Sequence, residues 1–457
     1  MNELDFKNNN RDSINSGGKR LRYHIMTFGC QMNERDSELL AGMLQEMGYE
    51  PTPDYGKADL ILLNTCCVRE TAENKILGRI GELKAQKSQN PELIIGVCGC
   101  MTQQPEVGEK IRRRAPHVDL IFGTHNLHRL PQLIGQVKEH KKTVIDIWET
   151  EGDIIENLPS KRVEGVKAYV TITYGCNNFC TYCIIPYVRG RERSRSALDI
   201  VREVSQLAEE GFKEVMLLGQ NVNSYGKDLD PQIDFANLLG ELDQVQRLAR
   251  IRYMTSHPRD VSDKLIDMIA ASEKVCEYFH LPVQAGGNRV LQMMNRGYTK
   301  ESYISLIEKI RTKIPHAGIT TDLIVGFPGE TDEDFADTLC LVEQVRFDAA
   351  FTFVYNKRSG TPAAYMADQV SAEVKKARIQ KLISLQNSIS LEKNKTEVGR
   401  IHEVLVEGVN KNDQSLLEAR TRTNKLVLIN GEKDKIGQIL WVRITDSGTW
   451  HLDGEPV

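Results

Sequence analysis

Residues 174–195 read YGCNNFCTYCIIPYVRGRERSR, and Cys176, Cys180 and Cys183 stand in them at spacings of three and two residues. A closed metal site would want four ligands. A [4Fe–4S] cluster takes one thiolate per iron, so three cysteines leave one iron without a protein ligand and open to a small molecule. The competing reading is a zinc site completed by a remote His or Cys, but zinc motifs usually pair two short C-x-x-C units.

More cysteines lie upstream, in TFGCQMN, NTCCVRE and GVCGCMTQQ: Cys30, Cys66, Cys67, Cys98 and Cys100. Each segment falls at the carboxyl end of a predicted parallel strand. In open α/β sheets that edge gathers ligands, so strand ends distant in sequence converge there. Three cysteines delivered to one edge make a second three-thiolate site. Alternation along a strand points Cys98 and Cys100 to the same face, so geometry alone does not separate them. The plain alternative for any of these thiols is burial as a small hydrophobe, which suits Cys276, Cys340 and Cys98.

These cysteines need a scaffold, and the pattern around them supplies one. From Arg22 to about Ile147 the short apolar runs RYHIMTF, ADLILLN, ELIIGV and VDLIF alternate with amphipathic stretches such as ERDSELLAGMLQEM. Strands alternating with helices imply a parallel sheet wound by right-handed crossovers. A second series follows the polar stretch ETEGDIIENLPSKRVEG: AYVTIT, EVMLLG, RIRYMT, EYFHLPV, GITTDLIVG and DAAFTFVY. Six strand units suit a partial (β/α) barrel better than a full eight-fold one, which usually needs about 250 residues. After a charged helical segment come five short strand candidates, HEVLVEG, SLLEARTR, KLVLIN, QILWVRIT and TWHLDG, as in a small antiparallel barrel of the kind nucleic-acid-binding modules use.

The fold class is therefore α/β, with an N-terminal open parallel sheet, a central partial (β/α)6 barrel and a C-terminal small antiparallel β-barrel. The expected boundaries are a disordered lead-in at 1–21, an N-terminal domain at 22–148, a linker at 149–165, the barrel at 166–394 and the β module at 395–457. The chain has 457 residues, 40% hydrophobic and 27% charged, with ten cysteines and a formal net charge of −4. No apolar run approaches the ~18 residues of a membrane span, and no secretory signal stands at the start, so a cytoplasmic protein is expected. In a reducing compartment its cysteines are metal ligands or catalytic thiols rather than a disulfide framework. No global field favours a polyanion, but basic residues gather at Arg112–Arg114, at Arg189, Arg191, Arg193 and Arg195, and at Arg420, Arg422 and Lys425.

The spacing C-x3-C-x2-C with Tyr182 before the third cysteine resembles the radical S-adenosylmethionine superfamily. The resemblance implies that Cys176, Cys180 and Cys183 hold a [4Fe–4S] cluster whose open iron binds the cofactor's methionine moiety. Gly219, Gln220 and Asn221, in LLGQN after the second barrel strand, match the stretch that touches that moiety. TTDLIVGFPGE after the fifth strand resembles the adenine-binding segment, with Ile324, Gly326, Pro328, Gly329 and Glu330 as cofactor-binding residues. Its glycines let backbone approach a flat base.

The upstream segments resemble the methylthiotransferase family of radical S-adenosylmethionine enzymes, and the likeness runs from about Tyr23 to Gly454. It implies an auxiliary [4Fe–4S] cluster on Cys30, Cys66 and Cys100, with the roles of Cys67 and Cys98 left open, and no catalytic residue beyond the cluster ligands. FCTYCIIPYVRGRERSR, LLGQNVNSYG, TSHP and HLPVQAGGNRVLQMMNRGYT resemble the group acting on isopentenylated adenosine in tRNA. The loop Ala285-Gly286-Gly287-Asn288 departs from that group's S-G-S-D. The C-terminal module resembles a TRAM domain, with Ala419 in place of the usual glycine. The implied activity is insertion of a methylthio group at C2 of N6-isopentenyladenosine at position 37, with two S-adenosylmethionine molecules and a sulfur carried on the auxiliary cluster. Both clusters would face one cavity. The implied partners are the anticodon stem-loop of such a tRNA and an electron donor such as flavodoxin or ferredoxin, with the enzyme a monomer. Arg189, Arg191, Arg420 and Arg422 are the candidate RNA contacts, weighed against structural ion pairs with Glu192 or Glu330 for the first two. The nearest rival is the sister reaction on threonylcarbamoyl adenosine. A rival from another class is a non-catalytic iron–sulfur carrier, which would have no use for an adenine segment.

Overall fold

The computed structural model describes residues 20–67, 70–162 and 165–457. All but the last two residues of the expected lead-in lie outside these. The chain forms two compact units that do not follow chain order. The first holds the described residues up to 162 together with Tyr174–Asn177 and Ile184–Arg193; the second holds the remainder, including Asn178–Cys183 and the C-terminal barrel.

In the first unit, β1 (Arg22–Thr27), β2 (Glu50–Pro51), β3 (Leu60–Thr65), β4 (Ile94–Gly99), β5 (Leu120–Phe122) and β6 (Val144–Asp146) form one parallel sheet, in the order β2-β1-β3-β4-β5-β6. Helices α1 (Gln31–Glu46), α2 (Glu70–Gln89), α3 (Val107–Arg114) and α4 (Leu130–His140) supply the crossovers. Both faces of β3 are buried, which is why its first four residues, LILL, read as an unbroken apolar run. Leu40, Met43 and Leu44 of α1 pack on one face with Leu133, Ile134 and Val137 of α4. Ile76, Ile80 and Leu83 of α2 pack on the other with Ile111 of α3. The polar stretch expected to be a linker lies against α1. A Cβ on Gly42 would meet the Pro159 carbonyl at 2.4 Å, and Arg162 pairs with Glu38 at 2.8 Å.

The second unit opens with β7 (Lys167–Thr171); the two-residue strands β8 (Thr173–Tyr174) and β9 (Arg193–Ser194) bracket the cysteine loop and the turn α5 (Ile185–Val188), of which Asn178–Cys183 belong to this unit and α5 to the first. Then α6 (Ala197–Glu209), β10 (Glu214–Leu218), α7 (Phe235–Asp243), β11 (Arg250–Tyr253), α8 (Asp263–Ala271), β12 (Tyr278–His280), α9 (Asn288–Met293), α10 (Lys300–Lys313), β13 (Gly318–Val325), α11 (Asp332–Val345), β14 (Ala349–Val354) and α12 (Ala372–Lys395) alternate as expected. The six strands form two parallel runs, β7-β10-β11 and β12-β13-β14, joined by a lone Ile251–Val275 bridge. This is the expected partial barrel. Ile200, Val204 and Leu207 of α6, spaced four and three apart, enter its core beside Val215 and Leu217.

The last sixty residues close a five-stranded barrel from β15 (Ile401–Val409), β16 (Leu416–Thr421), β17 (Leu426–Asn430), β18 (Ile439–Ser447) and β19 (Leu452–Pro456), in the order β15-β16-β17-β19-β18. One pair departs from the antiparallel expectation: β17 and β19 run parallel and seal the barrel.

Candidate functional site

At the carboxyl edge of the first sheet, Asn33 in the first turn of α1 organises three strand ends. Its Nδ2 donates to Phe28 O after β1 and to Thr65 O at the end of β3, both at 2.9 Å. Its Oδ1 lies 4.0 Å from Cys30 Sγ and 3.9 Å from Cys100 Sγ. Cys30 occupies the N-cap position of α1 and is exposed, so its sulfur meets the positive end of the helix dipole. Cys66 comes in from the side: a Cβ on Gly29 would stand 2.8 Å from Cys66 Cβ and 3.2 Å from its Sγ. Gly29 therefore permits the approach. Cys30, Cys66 and Cys100 thus gather at one edge.

The structure separates Cys98 from Cys100, which strand alternation did not. Gly99 has φ +98°, and a Cβ there would meet Thr65 O at 2.4 Å. That break in the pleat sends Cys98 into the α1–α4 face and Cys100 into the α2–α3 face. Full burial pushes the Cys98 thiol well up, as for an inert apolar residue. The Cys100 thiol is held down, first by a hydrogen bond with Cys67 and then by the Arg189 charge. Cys67 therefore lies beside Cys100 in the same apolar face.

Arg189, offered from sequence as an RNA contact, is only 4% exposed and points inward within this unit. Its Nε donates to Cys100 Sγ at 3.2 Å, and its Nη2 donates to Asn33 Oδ1 at 2.9 Å and Asp36 Oδ2 at 2.7 Å. Burial alone disfavours its charge, but Asp36 restores it and keeps the guanidinium protonated. Neither ion-pair partner weighed from sequence is the one used. Arg191 is exposed, and its backbone N–H donates to Glu151. Cys176 is buried and its N–H donates to Gly190 O at 3.1 Å, also within the first unit.

Cys180 and Cys183 belong to the second unit. There the loop docks on the turn after α9. Thr181 N–H donates to Met294 O, Thr181 Oγ1 to Met293 O, and Asn295 Nδ2 to Phe179 O. Arg296, buried, donates to Cys180 Sγ at 3.2 Å, to Pro282 O at 2.7 Å and to Tyr298 Oη at 2.9 Å. Tyr182 packs on the same apolar cluster as Ile324 of β13, so the cysteine loop and the expected adenine segment share one wall.

The other expected cofactor residues divide into two kinds. Gln220 carries a buried Oε1 with no hydrogen-bond partner among the described residues. Gly326 and Gly329, on either side of Pro328, have φ +71° and +76°, which suits glycine; a Cβ on Gly326 would meet the Lys375 stem at 2.3 Å, so the glycine admits that side chain. Gly219 leaves room for Thr173. Asn221 and Glu330 act within the protein. Asn221 donates to Asp260 and accepts from His257 N–H. Glu330 accepts from Gly326 N–H and from Arg378 at 2.7 Å, tying its loop shut.

Sequence reasoning gave no role to Asn33, Arg189 as a sulfur donor, or Arg296. Among the described residues no three His, Cys, Asp or Glu gather as tightly as a single metal ion would hold them. A four-iron cube takes one thiolate per iron, so its ligands stand wider apart. Soft thiols at one edge, with a guanidinium against one of them, fit such a cluster.

In the β-barrel, Arg422 is spent on Glu277 and on the Glu273 and Val275 carbonyls, and Arg420 bonds its own turn at Asn424 O. Trp441 and Trp450, unremarked in sequence, are 58% and 62% exposed. No helix among the described residues is long and apolar enough to cross a membrane.

Residues 22–123 match the uncharacterized protein family UPF0004, residues 170–342 the radical SAM superfamily, and residues 395–457 the TRAM domain. A radical S-adenosylmethionine methyltransferase, TsrM, from Kitasatospora setae shares the fold, with TM-score 0.57 at 15% identity over 76% of this chain and 77% of that one. Together these define the class as a protein with a radical S-adenosylmethionine domain between a UPF0004 domain and a TRAM domain.

A tRNA-2-methylthio-N(6)-dimethylallyladenosine synthase of Carboxydothermus hydrogenoformans is 59% identical over 432 residues, 94% of this chain and 98% of the relative. Its counterpart in Pelotomaculum thermopropionicum is 60% identical over 434 residues, 95% and 97% of the two chains. The chain belongs to the tRNA-2-methylthio-N(6)-dimethylallyladenosine synthase family. Membership implies a [4Fe–4S] cluster and S-adenosylmethionine as cofactors.

Proposed function

We propose that the protein inserts a methylthio group at C2 of N6-isopentenyladenosine at position 37 of tRNA, consuming two S-adenosylmethionine molecules. The observation that carries this reading is the gathering of Cys30, Cys66 and Cys100 at one sheet edge, in a chain that separately holds the C-x3-C-x2-C loop. C2 of adenine is neither acidic nor a leaving-group position, so acid–base chemistry at neutral pH does not reach it and the cofactors must. Cys176, Cys180 and Cys183 would hold a cluster supplying the electron that breaks the sulfonium C–S bond of S-adenosylmethionine into methionine and a 5′-deoxyadenosyl radical, and Cys30, Cys66 and Cys100 would hold a second one supplying sulfur. Gln220 offers its spare oxygen to the methionine group. Gly326 and Gly329 give the adenine segment its left-handed turns, and Tyr182 and Ile324 wall it. The target base leaves its stack to reach the site. The partners are the anticodon stem-loop and an electron donor such as flavodoxin or ferredoxin, and the enzyme works as a cytoplasmic monomer.

Mass spectrometry of tRNA nucleosides from cells lacking the protein tests the substrate. The 2-methylthio-isopentenyl form disappears and the unmethylthiolated base accumulates. Loss of sulfur from threonylcarbamoyl adenosine instead would assign the sister reaction. Reconstituted protein that makes no 5′-deoxyadenosine would point to an iron–sulfur carrier.

A further inference from the structure

We propose that Arg189 is a positioning residue for the auxiliary cluster, supplying the hydrogen bond and the positive charge that set its reduction potential. The inference rests on the two-cluster reading above. A cube held by three thiolates carries net negative charge, and its burial requires compensation. Cys30 and Cys100 face the partial charges of Asn33 but no other buried cation is bonded to them among the described residues; the Arg189 guanidinium lies on Cys100 Sγ at 3.2 Å. The guanidinium is aimed rather than merely buried. Asn33, which fixes the ends of β1 and β3, and Asp36 one turn along α1 both accept from Nη2, so Nε is turned onto the sulfur. Arg189 stands 89 residues beyond Cys100 in the chain, on the segment that follows the C-x3-C-x2-C motif. The arginine of one cysteine motif thus serves the cysteines of the other.

An N–H donated to a cluster thiolate, and a positive charge beside it, stabilise the more negative reduced state and raise the potential. Asp36 works against Arg189 by damping that charge. The two residues are therefore expected to shift the potential in opposite directions, which general loosening of the fold would not do.

The experiment uses the full-length Cys176→Ala, Cys180→Ala, Cys183→Ala protein, in which only the auxiliary cluster remains. Iron and sulfide are assayed, and reduction by dithionite is followed by EPR at poised potentials. Arg189→Gln is expected to move the midpoint to more negative potential, Asp36→Asn to less negative potential, and Arg189→Lys to fall between Arg189→Gln and the parent. If Arg189→Gln cannot hold iron while Arg189→Lys does, the charge requirement is met in another form, and the Asp36→Asn shift still reports the sign. Unchanged midpoints in all three variants overturn the inference while leaving the cluster assignment standing. A parent protein without iron overturns both.

Discussion

Arg250 of β11 and Glu403 of β15 are joined by two hydrogen bonds to one carboxylate oxygen, at 3.1 Å from Nε and 2.7 Å from Nη2. Arg250 also donates to Arg420 O and Glu403 O, while Arg252, two residues on, donates to Thr421 O and Arg422 O. Two neighbouring strand arginines thus hold the C-terminal barrel to the β/α core, which explains why the two form one unit. Arg250 is fully buried and Glu403 a quarter exposed. Arg250→Met keeps the apolar stem but strands the carboxylate and two carbonyls. It should destabilise the protein by about 3 kcal/mol, the low end for breaking a buried pair because Glu403 keeps some water. Urea unfolding checks this, and iron content should be unchanged.

Cys66 and Cys67 are adjacent and both buried, yet their settings differ. Cys66 approaches Gly29, next to Cys30, whereas Cys67 packs in the apolar face beside Cys100. Cys66→Ala is expected to lower iron from about eight per chain to about four, the loss of one four-iron centre. Cys67→Ala should leave iron near about eight, with modest loss of stability from the vacated volume. Iron and sulfide analysis after anaerobic reconstitution separates the two. The reverse pattern would move the ligand assignment to Cys67.

The strands were legible wherever an apolar run was long enough to cross a buried sheet, which held for all six barrel strands. β2 and β6, of two and three residues, carry too little pattern to read. The cysteines were legible by spacing in one motif and by strand-end position in the other. What escaped depended on single backbone angles and long-range contacts. Strand alternation put Cys98 and Cys100 on one face, and the positive φ of Gly99 overrides it. Arg189 read as a surface charge because nothing local marks Asp36 and Cys100 as its partners, and Arg296 meets Cys180 across 116 residues. Closure of the C-terminal barrel through parallel β17 and β19 is likewise a non-local pairing that alternation does not encode.

His257, in the TSHP stretch after β11, is buried with its Nε2 unpartnered among the described residues and its Nδ1 accepting from Arg259 N–H. Burial first, then the Arg296 charge, lowers its pKa to about 3. Between that value and the ordinary imidazole value near 6.5, the unfolded chain binds a proton that the folded protein refuses. Stability from this group is therefore complete above about pH 6.5 and falls on acidification, by up to about 1.4 kcal/mol per pH unit. His257→Asn keeps an acceptor near Nδ1 and removes the titration. Urea unfolding at pH 7, 6 and 5 should show the wild type losing ground to the variant at each step; parallel pH profiles would refute the burial argument.

Trp441 on β18 and Trp450 in the following loop expose large aromatic faces on a barrel whose arginines Arg420 and Arg422 are engaged within the protein. Base–aromatic stacking on such faces contributes about 1–3 kcal/mol per base and depends little on salt. Trp441→Ala and Trp450→Ala should each weaken tRNA binding by an amount in that range, with the salt dependence unchanged. Arg191, exposed beyond the cysteine loop, would act through phosphate. Arg191→Ala should weaken binding most at low salt and flatten the log–log salt slope by about 0.7, the value for one phosphate contact to a single strand. Fluorescence anisotropy with an isopentenylated anticodon stem-loop at several salt concentrations distinguishes the two effects. Tryptophan variants that bind like wild type would move the RNA surface away from the barrel's aromatic faces.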